Sequence, residues 1–117
     1  MSIPNWITDL FKTIDSRNSV KFAEFLTPDG EFIFGNIPAV QGTENVVTFL
    51  DAFFKSIHGI SHSVKNCWAI EDRVIVEGFV TYTRHDSTTL GVKFCDIFTM
   101  SDNLIKKFDI FIDNSQL

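Results

Sequence analysis

The spacing of apolar residues divides this chain into a helical first half and an alternating second half. Apolar residues recur at steps of three and four over residues 3–14, which is the period of an amphipathic helix. The same period predicts a short second helix over residues 19–26 and a third over residues 43–57, whose apolar stripe is broader than one face needs. Turn-forming residues at positions 27–30 end the second helix, and residues 31–34 form a short predicted strand.

Apolar and polar residues alternate from residue 61 to the end, as they do in half-buried strands. This pattern predicts four strands, over residues 61–70, 73–84, 90–101 and 104–113. Their connections are of hairpin length, so successive strands should pair antiparallel. We therefore expect one α+β domain over residues 1–117, with three N-terminal helices packed on a curved, mostly antiparallel sheet.

The composition adds an unusual excess of phenylalanine. Among 117 residues there are 13 Phe, one Tyr and two Trp, and 44% of the chain is hydrophobic. Phe has no polar tip, so this excess indicates a dry interior, a lined cavity or a buried subunit interface.

Charge and hydropathy exclude two classes of partner. The net charge is −5 and the ten Lys and Arg are scattered, so the basic surface that nucleic acids require is missing. No apolar run approaches the length of a membrane span, and the first residues lack the basic and apolar regions of a signal peptide. We expect a soluble, cytoplasmic protein that binds neither nucleic acid nor membrane.

The two cysteines and three histidines do not have the spacing of metal ligands, so no metal and no cofactor is expected. Cys67 and Cys95 both fall on predicted strands. Two buried thiols are the favoured interpretation, and a disulfide is the alternative.

Asp96 lies in a strand-like run of apolar and aromatic residues, 91–100. A carboxylate removed from water must be paired, hydrogen-bonded or protonated. Asp96 is therefore either an exposed acid on the outer sheet face or the polar centre of a pocket.

His62 and Trp68 share strand parity, which would place imidazole and indole on one cavity wall. The alternative is a histidine hydrogen-bonded near the sheet edge beside a core tryptophan. Tyr82 and Arg84 also share a face. Tyr82 would serve as a phenol donor and Arg84 as the partner of an acid such as Asp113, or they are simply a sheet residue and a surface arginine.

Five segments, taken in order, carry a resemblance to a known family. They are the helix end Ile14-Asp15, the segments 21–30 and 35–42, Glu77-Gly78 together with the nearby residues 81–84, and the final residues 111–113. In these segments the chain resembles the SnoaL-like branch of the nuclear transport factor 2 superfamily. The resemblance implies a cone-shaped α+β barrel in which a bent sheet wraps the first helix and leaves an apolar pocket at its open end. Relatives in that superfamily include ketosteroid isomerases, polyketide cyclases, epoxide hydrolases, dehydratases and noncatalytic modules, so fold does not fix function.

The resemblance places Asp96 where ketosteroid isomerases have an acid that donates a hydrogen bond to a developing oxyanion. The isomerase phenol falls near Leu10 and its base at Ile33-Phe34, where no side chain can play either part. Of the epoxide hydrolase pattern, only the terminal acid is matched, by Asp113. A polyketide-cyclase-like reaction needs only an acid–base residue in an apolar pocket, for which Asp96, Asp109 and Asp113 are candidates.

The sequence thus predicts a small enzyme without a cofactor that isomerises, cyclises, hydrates or dehydrates a hydrophobic carbonyl compound. Asp96 would be the acid or oxyanion donor and His62 the base. The predicted ligand-binding residues are Leu10, Phe34, Phe53, Trp68, Tyr82, Phe94, Phe98 and Asp113. The alternative is a noncatalytic module that binds a hydrophobic ligand or dimerises.

A homodimer is expected because such cones usually pair through the outer sheet face. Ile75, Phe79 and Ile97 would supply an apolar patch there, with Thr81 and Thr83 at its rim.

Overall fold

The structure is a computed structural model that describes residues 2–117, so Met1 of the predicted domain lies outside the described residues. In chain order the elements are α1 (Asn5–Asp15), α2 (Ser19–Ala23), β1 (Leu26–Phe34), β2 (Val40–Gln41), α3 (Thr43–Lys55), β3 (Gly59–Ile70), β4 (Arg73–Thr83), β5 (Thr89–Ser101) and β6 (Leu104–Ile112). The predicted α+β class is confirmed.

The strands form one six-stranded mixed sheet in the order β2-β1-β6-β5-β4-β3. The predicted antiparallel meander is present, since β3, β4, β5 and β6 pair in succession. β1 joins its far side by pairing parallel with β6, and the two-residue β2 pairs antiparallel with β1.

The prediction was wrong between residues 24 and 30, where a helix end was expected. Helix α2 ends at Ala23, and β1 already begins at Leu26. Leu26 pairs with Ile105 of β6, and the register then shifts before Glu31 pairs with Lys107. This pairing partner is distant in sequence, so the local helical period did not reveal it.

The core lies between the helices and the inner face of the sheet. Helix α1 buries Ile7 and Leu10, and α3 buries Val46 and Leu50. The inner sheet face contributes a row of buried apolar side chains on alternate residues, among them Val76, Val80, Phe94, Phe98 and Phe108. Each such side chain, once removed from water, stabilises the fold by about 1.5–3 kcal/mol before the entropy of ordering is subtracted.

A β-bulge in β3 changes which residues face this core. Val64 pairs with Gly78, but Asn66 pairs with Glu77, so one extra residue, Lys65, is accommodated in β3. Side chains alternate with a period of two, and an extra residue therefore exchanges the two faces beyond it. His62 lies on the inner face before the bulge, whereas Cys67 is the buried residue after it. Trp68 is consequently on the outer face and 42% exposed.

Candidate active site

An apolar cavity of about 40 Å³ lies between the helices and the inner sheet face. Eight phenylalanines contribute to its walls, and its polar lining consists of His62, Tyr82 and Asp96. Such a volume holds no more than a few water molecules, because one water needs roughly 10–15 Å³ on this scale. The phenylalanines therefore fill most of the interior, and the three polar groups lie in a nearly dry environment.

Asp96 is buried in the middle of the sheet, with only 2% of its surface exposed. Its strand β5 has a neighbour on each side, where Asp96 pairs with Val76 and Ile110. Its Oδ1 atom has no hydrogen-bond partner. Burial, and after it the nearby Asp109 carboxylate, raise the pKa of the Asp96 carboxyl well above its ordinary value. The protonated form that this environment favours can donate a hydrogen bond to a ligand oxygen.

His62 is held by a carboxylate from the end of helix α1. Its Nδ1 lies 2.6 Å from Asp15 Oδ1, and its backbone N–H donates to Asp15 Oδ2 at 3.0 Å. An ionised carboxylate can only accept, so the Asp15 contact places a proton on Nδ1. In the neutral ring, Nε2 then carries the lone pair of a base, as in other carboxylate–histidine pairs.

The imidazole is enclosed by aromatic rings. Its centroid lies 4.8 Å from that of Phe11 and 5.3 Å from that of Phe94. The Phe94 ring covers Gly78, where a Cβ atom would lie 2.9 Å from the ring and 2.2 Å from the Ser63 carbonyl oxygen. Only glycine fits at this position, and its missing side chain is what lets Phe94 lie against β4 beside His62.

Tyr82 supplies the third polar group. Its hydroxyl accepts a hydrogen bond from Asn114 Nδ2 at 3.2 Å. Burial raises the pKa of Tyr82 to about 12, the Asn114 bond opposes this, and the Asp96 charge adds to it. The phenol therefore stays protonated at physiological pH and can donate a hydrogen bond.

Asp96 and His62 line the same cavity without bonding to each other. His62 pairs with Val80 on β4, which pairs with Val92 on β5, four residues from Asp96. In a flat sheet, two strand spacings and four residues would separate their Cα atoms by about 16 Å. The acid and the base therefore lie at separate points on the wall of one cavity.

Six predicted site residues line the cavity, namely Phe34, Phe53, His62, Tyr82, Phe94 and Asp96. Four others lie elsewhere. Leu10 and Phe98 are fully buried behind the cavity wall, where Phe98 packs on Trp6 and Phe108. Trp68 does not share a wall with His62, because the bulge at Lys65 turns it outward.

Asp113 is exposed, and its carboxylate accepts the Ser115 backbone N–H at 3.0 Å. Asp113 is therefore a turn residue outside the cavity. Arg84 does not pair with it either, because its guanidinium donates to the Gln116 carbonyl oxygen at 2.8 Å.

Two polar residues at the site were not predicted, Asp15 and Asn114. Asp15 ends α1, and a carboxylate is unfavourable at a helix C-terminus, where the dipole is negative. An acid at this unfavourable position could have been used to predict that Asp15 has a specific hydrogen-bond partner. Asn114 follows β6, and nothing in its local sequence indicates a partner.

The cysteines lie on opposite faces of the sheet and form no disulfide. Cys67 faces the core, whereas Cys95 is opposite Glu77 on the outer face. Burial raises the pKa of both thiols, and for Cys95 the Asp96 and Glu77 carboxylates add to the effect.

Within residues 2–117, no three His, Cys, Asp or Glu side chains come together as a metal site would require. Nor does the described part of the chain contain a helix of the length and apolarity needed to cross a membrane.

Comparison with known proteins supports one family. The model of the SnoaL-like domain matches residues 7–108. A search of the curated proteins finds no match.

Several solved structures share the fold. TerC, co-crystallised with polyporic acid, is 20% identical with a TM-score of 0.81, over 93% of this chain and 89% of TerC. A hypothetical protein with a ketosteroid isomerase-like fold from Catenulispora acidiphila DSM 44928, in complex with trimethylamine, is 13% identical with a TM-score of 0.89, over 97% of this chain and 89% of that one.

A protein named as a SnoaL-like polyketide cyclase from Jannaschia sp. CCS1 is 20% identical with a TM-score of 0.74, over 92% of this chain and 84% of that one. At these identities the structural likeness shows the fold alone, whereas the family model covers most of the chain. The chain therefore belongs to the SnoaL-like domain family, within the nuclear transport factor 2-like fold.

Proposed function

We propose that this protein is an enzyme that moves a proton on an apolar, carbonyl-containing small molecule. The observation that carries the proposal is that a buried Asp96, whose Oδ1 has no hydrogen-bond partner, and a carboxylate-held His62 line one apolar cavity. An acid kept neutral and a base kept in one tautomer are the two groups that enolisation requires.

In this mechanism the protonated Asp96 donates a hydrogen bond to the carbonyl oxygen of the substrate. The Nε2 lone pair of His62 removes a proton from carbon, and the electrons move to the oxygen. Negative charge on that oxygen is stabilised by Asp96, whose donor operates in a nearly dry site. The carboxylate of Asp15 stabilises the imidazolium that forms. Return of the proton from the His62 imidazolium to a different carbon gives an isomer. Where the substrate carries a second carbonyl, the enolate carbon attacks it to close a ring, and the imidazolium proton goes to the new alkoxide. Where the substrate carries a β-hydroxyl, the enolate expels that group and the imidazolium proton leaves with it as water.

The relatives are consistent with such a substrate. Two structural neighbours are named as polyketide cyclases, and TerC was crystallised with polyporic acid. These names describe the neighbours, and for this chain they support only the substrate class.

Exchange of an α-proton for deuterium tests the proposal without knowledge of the substrate. The probe is 2-tetralone, an apolar bicyclic ketone, followed by NMR in D₂O. The wild-type protein should accelerate the exchange. The exchange rate in His62→Gln should be about 10²–10⁴-fold lower, because the base is missing. Asp96→Leu should also be slow, whereas Asp96→Asn should retain part of the rate because its amide still donates.

Glu77→Gln is the matched control, because Glu77 is a carboxylate on the outer face of the same sheet. Its exchange rate should equal that of the wild type. Wild-type exchange no faster than buffer, or unchanged exchange in His62→Gln, would contradict the proposal.

The second candidate is a noncatalytic module that binds a hydrophobic ligand or dimerises. The cavity volume of about 40 Å³, far below the roughly 300–1,000 Å³ of typical ligand sites, favours the dimerising form of this candidate over the ligand-binding form. An enzyme with this interior must move an aromatic side chain before it binds its substrate.

We also infer a homodimer formed through the outer sheet face. Ile75 pairs with Ile97 and with Trp68 there, and Phe79 and Phe111 are 39% and 52% exposed. Exposed aromatic side chains of this kind are typical of an interaction site, and here Glu77 and Lys93 lie among them. The cone shape of the sheet, which the family resemblance implies, is part of this proposal. The cytoplasmic location expected from the hydropathy of the sequence is likewise a proposal.

A further inference from the structure

A second pocket of about 310 Å³ adjoins the inner cavity and is more open to solvent. It is formed by the turn after β1, by part of α3, and by the segment that follows β6. Three side chains, Phe34, Phe53 and Ile112, line both the pocket and the cavity. They therefore form a partition between an outer chamber and the chamber that contains Asp96.

Phe53 is the more exposed of the two aromatic side chains in this partition. Its ring packs edge-on against Phe34, with centroids 4.9 Å apart, and edge-on against Tyr82 at 6.1 Å. Phe53 is half-buried on α3, whereas Phe34 is buried on a strand. A half-buried aromatic side chain changes rotamer far more readily than one enclosed in a close-packed core.

A hydrogen bond also crosses the partition. Tyr82 lines the inner cavity and Asn114 lines the outer chamber, and Asn114 Nδ2 donates to the Tyr82 hydroxyl. Asn114 Oδ1 is buried and has no partner. A buried acceptor without a donor is destabilising, and a donor on a ligand would satisfy it.

We propose that rotation of Phe53 joins the two chambers into one binding site for a flat, two-ring aromatic molecule bearing a hydroxyl or N–H group. Joined, the chambers reach the lower end of the volume range of small-molecule sites, about 300 Å³. The ring system occupies the outer chamber and the space left by Phe53. The hydroxyl or N–H donates to Asn114 Oδ1, and the inner end of the ligand reaches Asp96. This inference rests on the proposed function, because it concerns access to the same cavity.

Titration calorimetry with 2-naphthol tests it. Phe53→Ala removes the gate and should bind 2-naphthol about tenfold more tightly than the wild type, whereas Phe53→Trp should bind more weakly. The matched control is Phe49→Ala. Phe49 is one turn earlier on α3, is also half-buried and also contacts Phe34, but it lines neither chamber. Its affinity should stay within about twofold of the wild type.

Asn114→Ala should weaken binding of 2-naphthol but not of naphthalene, which has no donor. Phe53→Leu accompanies Phe53→Ala in case the alanine variant does not fold, and near-ultraviolet circular dichroism verifies the packing of each variant. Equal affinities in Phe53→Ala, Phe53→Trp and wild type, an equal gain in Phe49→Ala, or no binding to any variant would overturn the inference. Because the titration detects binding and deuterium exchange detects catalysis, either proposal can fail while the other stands.

Discussion

Replacing Asp96 by asparagine should stabilise the protein increasingly as the pH rises. Asparagine has nearly the same shape as aspartate but stays uncharged. In the wild type, the folded state must either keep Asp96 protonated or hold a charge in an apolar interior. The variant has neither constraint, so its free energy of unfolding lacks the dependence on pH that Asp96 imposes.

The sign and slope follow from linkage. The ordinary pKa of this carboxyl is 3.8, and burial raises the folded-state pKa well above it. Below pH 3.8 both states are protonated and the stabilising effect of the neutral acid is complete. As the pH rises toward the folded-state pKa, only the folded state holds the proton, and wild-type stability falls by about 1.4 kcal/mol per pH unit. Above that pKa the loss is constant.

Urea denaturation of the wild type and Asp96→Asn between about pH 4 and pH 8 measures this difference. The difference in unfolding free energy should rise with that slope and then level off at the folded-state pKa. Burying an amide in place of a carboxyl changes the difference in unfolding free energy by the same amount at every pH, so the slope of that difference against pH is unaffected. Parallel stability curves across the range would refute the reasoning, because they would mean that Asp96 ionises in the folded state as it does in water.

Asp113→Asn is an informative control with the opposite sign. Hydrogen bonds from Ser115 lower the pKa of this exposed carboxyl, so its stabilising effect is present at neutral pH and lost as the pH falls through the lowered pKa. Relative to the wild type, this variant should therefore lose stability as the pH rises from the lowered pKa to the ordinary value of 3.8, and the difference should then stay constant from about pH 4 to pH 8.

Three further predictions concern the site and the surface. Gly78→Ala should lower the free energy of unfolding by about 1–3 kcal/mol in urea, because its Cβ would overlap the Ser63 carbonyl oxygen and the Phe94 ring; an unchanged midpoint would contradict that packing. Asp15→Asn should slow 2-tetralone exchange and alter its pH profile, since both Asp15 oxygens accept from His62 whereas asparagine can accept at only one, and the uncharged amide cannot stabilise imidazolium; a rate and profile equal to wild type would exclude Asp15 from the mechanism. Phe79→Lys should convert a dimer to the 13.3 kDa monomer in analytical ultracentrifugation at micromolar concentration, and a wild type that sediments only as monomer would contradict the proposed interface.

The sequence predicted those parts of the fold that depend on local periods. Helices α1 and α3 follow from apolar residues at three- and four-residue steps, and the four long strands follow from alternation. The parallel pairing of β1 with β6 was not predictable in this way, because Leu26 meets a partner from the end of the chain. The same limit applies to the site. Asp96 was recognisable as a carboxylate among apolar residues, whereas the Asp15 contact with His62 depends on where α1 packs.

The bulge at Lys65 explains the most misleading prediction and connects the two candidate functions. Strand parity alone put His62 and Trp68 together, but one extra residue left the imidazole inside and turned the indole outside. Trp68 thereby lies beside Ile75 and Ile97 on the outer face. An exposed indole there contributes no burial free energy unless another molecule covers it. The cavity keeps only one polar side chain from β3, and that side chain is fixed by α1 rather than by a neighbouring strand. The proposed catalysis and the proposed dimerisation would therefore use opposite faces of one sheet, so a variant such as Phe79→Lys can test one without the other.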